Sequence, residues 1–149
     1  TYPNESQISA VLQFESGVTG TFSINGESIL KDLAVFYIYG TKGVLKLGDA
    51  NQFGGEVTLI TCEAANPFEE KAEVLEPVSA LSENSRGIGP AEMAAAIREG
   101  HRHRTDKRMA RHVLDVICRM EESSKSGAFV KVESSCEKPK AFGDWERFV

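Results

Sequence analysis

Along the first part of the chain apolar and polar positions alternate. In QISAVLQFE, Ile8, Ala10, Leu12 and Phe14 take one parity and Gln7, Ser9, Gln13 and Glu15 the other, with Val11 the exception. After Ser16-Gly17, a two-residue turn signal, GVTGTFSIN alternates again: Val18, Gly20, Phe22 and Ile24 against Thr19, Thr21, Ser23 and Asn25. Period-two alternation on both sides of a short turn predicts a β-hairpin with one apolar and one polar face. In AVFYIYG both parities are apolar, Val35, Tyr37 and Tyr39 against Phe36 and Ile38. That pattern predicts a central strand, or one whose second face meets something. Gly40-Thr41-Lys42-Gly43 turns the chain into a strand through Val44, Leu45 and Leu47, and EVTLITC (56–62) predicts another. AANPFEE reads as a loop and KAEVLEPV as a short closing strand.

The period then changes. Ala91 to Arg98 are mostly strong helix formers, Pro90 sits where a first-turn proline belongs, and Gly100 suits the left-handed end of a helix. A longer helix is expected from Thr105 or Asp106, either of which can cap it, to Gly127. Met109, Val113, Val116, Ile117 and Met120 form its apolar stripe, and Arg111, Asp115 and Arg119 run i, i+4, i+8 on another face. FVKVE (129–133) predicts a last strand, and CEKPKAFGDWERFV a tail against the surface. Strands first, then two helices, then one strand is an α+β order. The expected architecture is an open, mostly antiparallel sheet with two helices packed on one face, in one domain over residues 1–149. The uncovered face is left to meet solvent, ligand or partner.

Composition narrows the setting. The chain has 149 residues, enough for a single core, with 41% hydrophobic and 26% charged residues. Nothing approaches the roughly 20 apolar residues needed to span a bilayer, and TYPNESQISA lacks the basic and apolar regions of a signal peptide. The chain does not begin with Met, so a processed protein or a piece of a longer one is expected. The three cysteines, Cys62, Cys118 and Cys136, are odd in number and far apart, which argues against a disulfide framework and for a reducing, cytoplasmic setting. A net charge of -5 disfavours nucleic acid as the main partner.

One segment runs against that acidity. GHRHRTDKRMARH (100–112) holds all three histidines and five of the 17 Lys and Arg. Zinc needs three or four convergent ligands, and no Cys, Asp or Glu completes a metal spacing around these histidines. Nucleic-acid binding through Arg98, Arg102, Arg104, Lys107, Arg108 and Arg111 would want interleaved aromatics, and there are none. A solvated joint between two helices is the plainest reading. Lys107 and Arg108 nevertheless stand at a helix N-terminus, where the dipole disfavours cations, which points to an anionic neighbour. Gly87 and Gly89 make a G-x-G, but a dinucleotide fingerprint needs a third small residue where Glu92 stands, and a strand leading in. No nucleophile elbow, zincin motif or P-loop is present.

The order of these segments carries a resemblance. NSRGIGPAEMAAAIREGHRHRTDKRMARHVLDVICRMEESSKSGAFVKVES resembles the C-terminal part of oxidoreductases of the glucose-fructose oxidoreductase, inositol dehydrogenase and MocA family. Those chains carry a similar G-x-G-x-A-[DE]-M-A-x-A-I-R-x-G helix, a His-Arg joint, and a long helix ending in E-S-x-x-[ST]-G. LQFESGVTGTFSI is similar to that domain's opening hairpin and YIYGTKGVLKL to its G-T-K-G turn. The similarity covers nearly the whole chain. It implies a C-terminal domain that supplies part of a sugar or polyol pocket and a subunit interface through its open sheet. In such proteins an N-terminal Rossmann domain, the second implied partner, binds NAD or NADP. This chain carries neither the Rossmann half nor the family's active-site Asp and His segment, so no catalytic, cofactor or metal residue is expected in it. Glu137-Lys138-Pro139 lies in the tail, where the family's Glu-Lys-Pro does not occur, and receives no catalytic role. The residues expected to touch substrate are Asn84 and Arg86, before the first helix, and His103 in the joint. Thr19, Thr21 and Ser23 are a further possible lining. The rival expectation is a free-standing dimerisation module without enzyme activity. Neither reading involves nucleic acid or a membrane.

Overall fold

The computed structural model describes residues 6–29, 36–51, 53–63, 66–76 and 86–141. The chain is α+β, with open antiparallel sheets and two helices. It divides into two compact units, Thr1–Lys31 with Ala110–Cys136, and Asp32–Met109 with Glu137–Val149.

In the first unit β1 (Gln7–Gln13) pairs antiparallel with β2 (Thr19–Asn25). The register sets Ile8 opposite Ile24, Ala10 opposite Phe22 and Leu12 opposite Gly20, so one face is apolar as the alternation requires. The other face carries Gln7, Ser9, Val11 and Gln13 against Asn25, Ser23, Thr21 and Thr19, with Ser9 and Ser23 hydroxyls 3.3 Å apart. The turn is one residue longer than expected. Phe14 N–H donates to Val18 O and Gly17 N–H to Phe14 O, so Glu15, Ser16 and Gly17 form a three-residue loop. Gly17, at φ 86°, supplies the left-handed residue such a loop ends on. The Phe14 ring lies over Gly20, where a Cβ would stand 3.4 Å from it.

The second unit holds a four-stranded meander in the order β3 (Phe36–Gly40), β4 (Gly43–Leu47), β5 (Val57–Glu63), β6 (Asn66–Leu75). The strands therefore lie in two sheets. Cross-strand rows assign the faces. Tyr37, Lys46, Thr58 and Val74 share one row, and Tyr39, Val44, Ile60 and Ala72 the next row of the same face. Phe36 with Leu47, Ile38 with Leu45 and Leu59, and Val57 with Leu75 lie on the opposite face. Both faces are rich in large apolar side chains, but β3 is an edge strand and not the central one AVFYIYG predicted, because apolar residues on both faces do not fix a strand's place in a sheet. Thr58 is the one buried sheet position among the described residues. Gly43 is where β4 passes closest to β5: a Cβ there would stand 2.6 Å from Ile60 O.

Two local expectations are corrected. The AANPFEE segment is not a loop from Asn66 on, because β6 begins there and pairs along β5 with an irregularity at Cys62 and Glu63. FVKVE joins no ladder among the described residues, although Val130 and Val132 are half-buried and their neighbours exposed, the period of a strand.

Helix α1 (Ile88–Glu99) ends on Gly100 at φ 71°, and α2 (Lys107–Ser126) on Gly127 at φ 66°. Asp106, not Thr105, caps α2: its Oδ1 accepts from Arg108 N–H at 2.8 Å and Met109 N–H at 3.4 Å. Among the described residues no helix is long and apolar enough to cross a membrane.

Candidate functional site around the first helix and its joint

Four alanines and a glycine make up five of the 12 residues of α1, and Ala95 and Ala96 are buried. Glu92 shares that side, and its residue is only 4% exposed. A carboxylate so placed is costly unless its charge is met. The chain meets it by doubling the joint back along α1. Arg104 N–H donates to both Glu92 carboxylate oxygens, at 3.2 and 3.1 Å, and Arg104 Nη1 donates to Oε1 at 3.0 Å. The same guanidinium reaches the tail, donating from Nε to Lys140 O at 3.2 Å and from Nη2 to Ala141 O at 3.4 Å. Arg104 thus ties helix, joint and tail together, a task that suits its rigid, multidentate fork.

His101 sits at the turn of the joint. Nδ1 contacts Arg102 O and Nε2 contacts Glu99 Oε2, each at 3.0 Å. Acceptors at both ring nitrogens favour the imidazolium, so the Arg102 carbonyl first and Glu99 second raise its pKa above the ordinary histidine value. The cation at α2's N-terminus is also explained. Arg108 donates from Nε and Nη2 to Asp106 Oδ2, at 3.0 and 2.8 Å, so the cap that satisfies the backbone neutralises the guanidinium. The Arg108 N–H bond, chiefly, holds Asp106 below the usual carboxylate range.

Of the residues expected to touch substrate, Asn84 lies outside the described residues. Arg86 is exposed immediately before α1, and its Nη2 donates to Asn51 Oδ1 at 3.0 Å, tying that bend to the segment between β4 and β5. An exposed guanidinium held at one nitrogen retains donors for a hydroxyl or carboxylate. His103 is half-buried in the joint, next to Arg104. Because the joint folds back to Glu92, His103 stands alongside α1 rather than beyond its end. Thr19, Thr21 and Ser23 belong to the other unit, on the polar face of the β1–β2 hairpin.

Sequence reasoning missed a second cluster, on α2. Asp115 Oδ2 accepts from Ser134 N–H at 2.8 Å, and His112 Nδ1 lies 2.9 Å from Ser134 Oγ. Arg119, one turn on, donates from Nε to Asp115 Oδ1 at 3.2 Å and also pairs with Glu122. The expected run of Arg111, Asp115 and Arg119 thus resolves into an Asp115–Arg119 bridge. Hydrogen bonds from Ser134, side chain first and backbone second, hold Asp115 below the usual carboxylate range. A serine, a histidine and an aspartate meet here, but not in the order nucleophilic catalysis needs. Asp115 accepts from Ser134 N–H and Arg119 Nε rather than orienting the imidazole of His112. The cluster fastens the extended segment after α2 to that helix. Helical spacing puts His112, Asp115, Arg119 and Ser123 on one side of α2, where all are half-buried, but it does not reach Ser134.

Gly87 and Gly89 do not form a nucleotide cradle. Glu92, where a third glycine would stand, is a buried carboxylate committed to Arg104. These residues do not fit a dinucleotide pyrophosphate, which needs close backbone approach and positive surroundings. Among the described residues no group of three or more His, Cys, Asp or Glu is placed to hold a metal ion.

No family model, curated protein or solved structure matches the chain.

Proposed function

We propose that this chain is the C-terminal domain of a NAD(P)-dependent oxidoreductase acting on a sugar, polyol or related substrate. The ordered set of motifs quoted above, running from the opening hairpin to the E-S-x-x-[ST]-G end of the long helix, carries the reading. The open antiparallel sheets support it, since such a domain offers bare strand faces to a substrate pocket and to a neighbouring subunit. The nicotinamide nucleotide would be held by an N-terminal Rossmann partner domain, because Gly87 and Gly89 do not fit it. It would supply hydride acceptance there. This chain's own residues would bind and orient. Arg86, fixed by Asn51, would donate to a substrate hydroxyl or carboxylate, and the Glu92–Arg104 latch would position His103 in the joint. The test is calorimetric titration of NAD(H) and NADP(H) into the chain and into the full-length protein, followed by a panel of polyols. The reading expects no nucleotide binding by the chain, and nucleotide binding with polyol-dependent nicotinamide reduction by the full-length protein. Micromolar nucleotide binding by the chain alone overturns it.

The rival is a free-standing dimerisation module in the same compartment. The large side chains left exposed on both faces of the four-stranded sheet favour it. Such a module predicts self-association with no response to any polyol or nucleotide.

A further inference from the structure

The two edges of the four-stranded sheet are β3 and β6, and their sequences treat that exposure differently. β6, NPFEEKAEVL, carries a proline and Glu69, Glu70, Lys71 and Glu73. Charges and proline are the devices that keep an edge from recruiting another strand. β3, FYIYG, has none of them, and its large side chains are exposed, Tyr37 at 41%, Ile38 at 48% and Tyr39 at 76%.

The register says which backbone groups that edge presents. Thr41 and Lys42 make the turn, so Gly40 and Gly43 are the hydrogen-bonded pair that closes the hairpin. Hydrogen-bonded and non-bonded pairs alternate along an antiparallel ladder. Phe36 and Ile38 therefore bond inward to Leu47 and Leu45, and the N–H and C=O groups of Tyr37 and Tyr39 point away from β4. Among the described residues no strand accepts them.

We propose that β3 pairs antiparallel with β3 of a second copy of this chain about a two-fold axis at Ile38, joining two four-stranded sheets into one. Tyr-Ile-Tyr is the same sequence read in either direction, so the two-fold sets like against like. Tyr37 exchanges both backbone bonds with the partner's Tyr39, Tyr39 does the same with the partner's Tyr37, and Ile38 meets the partner's Ile38 as the non-bonded pair. The outward groups are thus the ones this register uses. A pairing shifted by one residue would face them with groups already committed to β4. Tyr37 and Tyr39 share one face, with ring centroids 5.9 Å apart, so pairing brings the tyrosines of both copies onto a single aromatic strip. An isologous contact of this kind closes on itself and stops at two copies, because β6, the other edge, is guarded. One strand pair buries less than the roughly 1,200 Å² of a standard stable interface, so the dimer rests on a weak association. The contact is edge to edge and does not depend on what occupies either sheet face or on the proposed oxidoreductase reading.

The test combines charge substitution with a measurement on the unaltered protein. Ile38→Lys and Ile38→Glu each place like charges together at the two-fold. Sedimentation over a concentration series is expected to show self-association of the wild type, its loss in either variant, and its return when the two variants are mixed. Val74→Lys, on the guarded edge, is expected to leave the wild-type behaviour unchanged. Amide hydrogen exchange serves if a variant fails to fold: Tyr37 and Tyr39 amides in the wild type are expected to gain protection as concentration rises. A wild type that stays monomeric into the sub-millimolar range overturns the proposal. So do folded variants that still associate, a mixture that fails to recover, or Tyr37 and Tyr39 exchange that ignores concentration.

Discussion

Glu92 and Arg104 carry the heaviest electrostatic commitment in the second unit. Removing one partner of a buried pair strands the other. Glu92→Ala is therefore expected to destabilise by about 2–4 kcal/mol, the lower side of the range for buried pairs, because the Arg104 side chain stays 25% exposed and water screens it. Urea unfolding reads this as a fall in midpoint at constant slope. Arg104→Lys keeps the charge but not the fork, and is expected to free the tail first, seen as faster amide exchange around residues 140–141. At acid pH the sign follows from the carboxylates. Asp106, Asp115 and Glu121 are held below their ordinary values by Arg108 N–H, Ser134 and Lys125 respectively. Their contribution is complete above the normal carboxylate range and is lost as pH falls through it. His101 runs the other way. Raised above 6.5, it stabilises the fold below that value, and the contribution fades as pH rises through its folded-state pKa. Asp115→Asn should flatten the acid limb of a stability–pH profile, and His101→Gln the loss of stability as pH rises past 6.5. Unchanged profiles would contradict these assignments.

Elements were legible where one face of a periodic segment decides. The β1–β2 alternation predicted the hairpin's apolar and polar faces, and Gly100 and Gly127 marked both helix ends. The errors have specific causes. Pro67, Asn66 and paired glutamates signal a loop, yet β6 runs through them, because an edge strand tolerates proline and charge on its open side. The Ser16-Gly17 turn was one residue short, because Gly17 is the left-handed residue that completes a longer loop and does not sit at a turn centre. FVKVE has strand period without a ladder, since pairing depends on a partner that local sequence does not specify. The Glu92–Arg104 and Asp115–Ser134 contacts span 12 and 19 residues, beyond the reach of helical spacing rules. Gly43 offers the sharpest test at this scale. Gly43→Ala drives a Cβ to 2.6 Å from Ile60 O, and rigid backbone cannot yield as a flexible side chain would. A loss of about 2 kcal/mol is expected in equilibrium unfolding. Gly87→Ala, where nothing lies within 4 Å, should change stability little.

For the molecule, the strand faces exposed among the described residues and the edge at β3 are where the two proposed readings start. The rival module and the oxidoreductase domain both expect self-association, so oligomeric state does not separate them. What separates them is the protein to which the sheet is joined. Sequencing the reading frame immediately upstream of the codon for Thr1 asks this directly. The oxidoreductase account predicts an in-frame strand, a glycine-rich turn of the G-x-G-x-x-G kind and a helix, followed by a segment bearing the missing Asp and His. A stop codon directly upstream, or a preceding frame without that fingerprint, would contradict it.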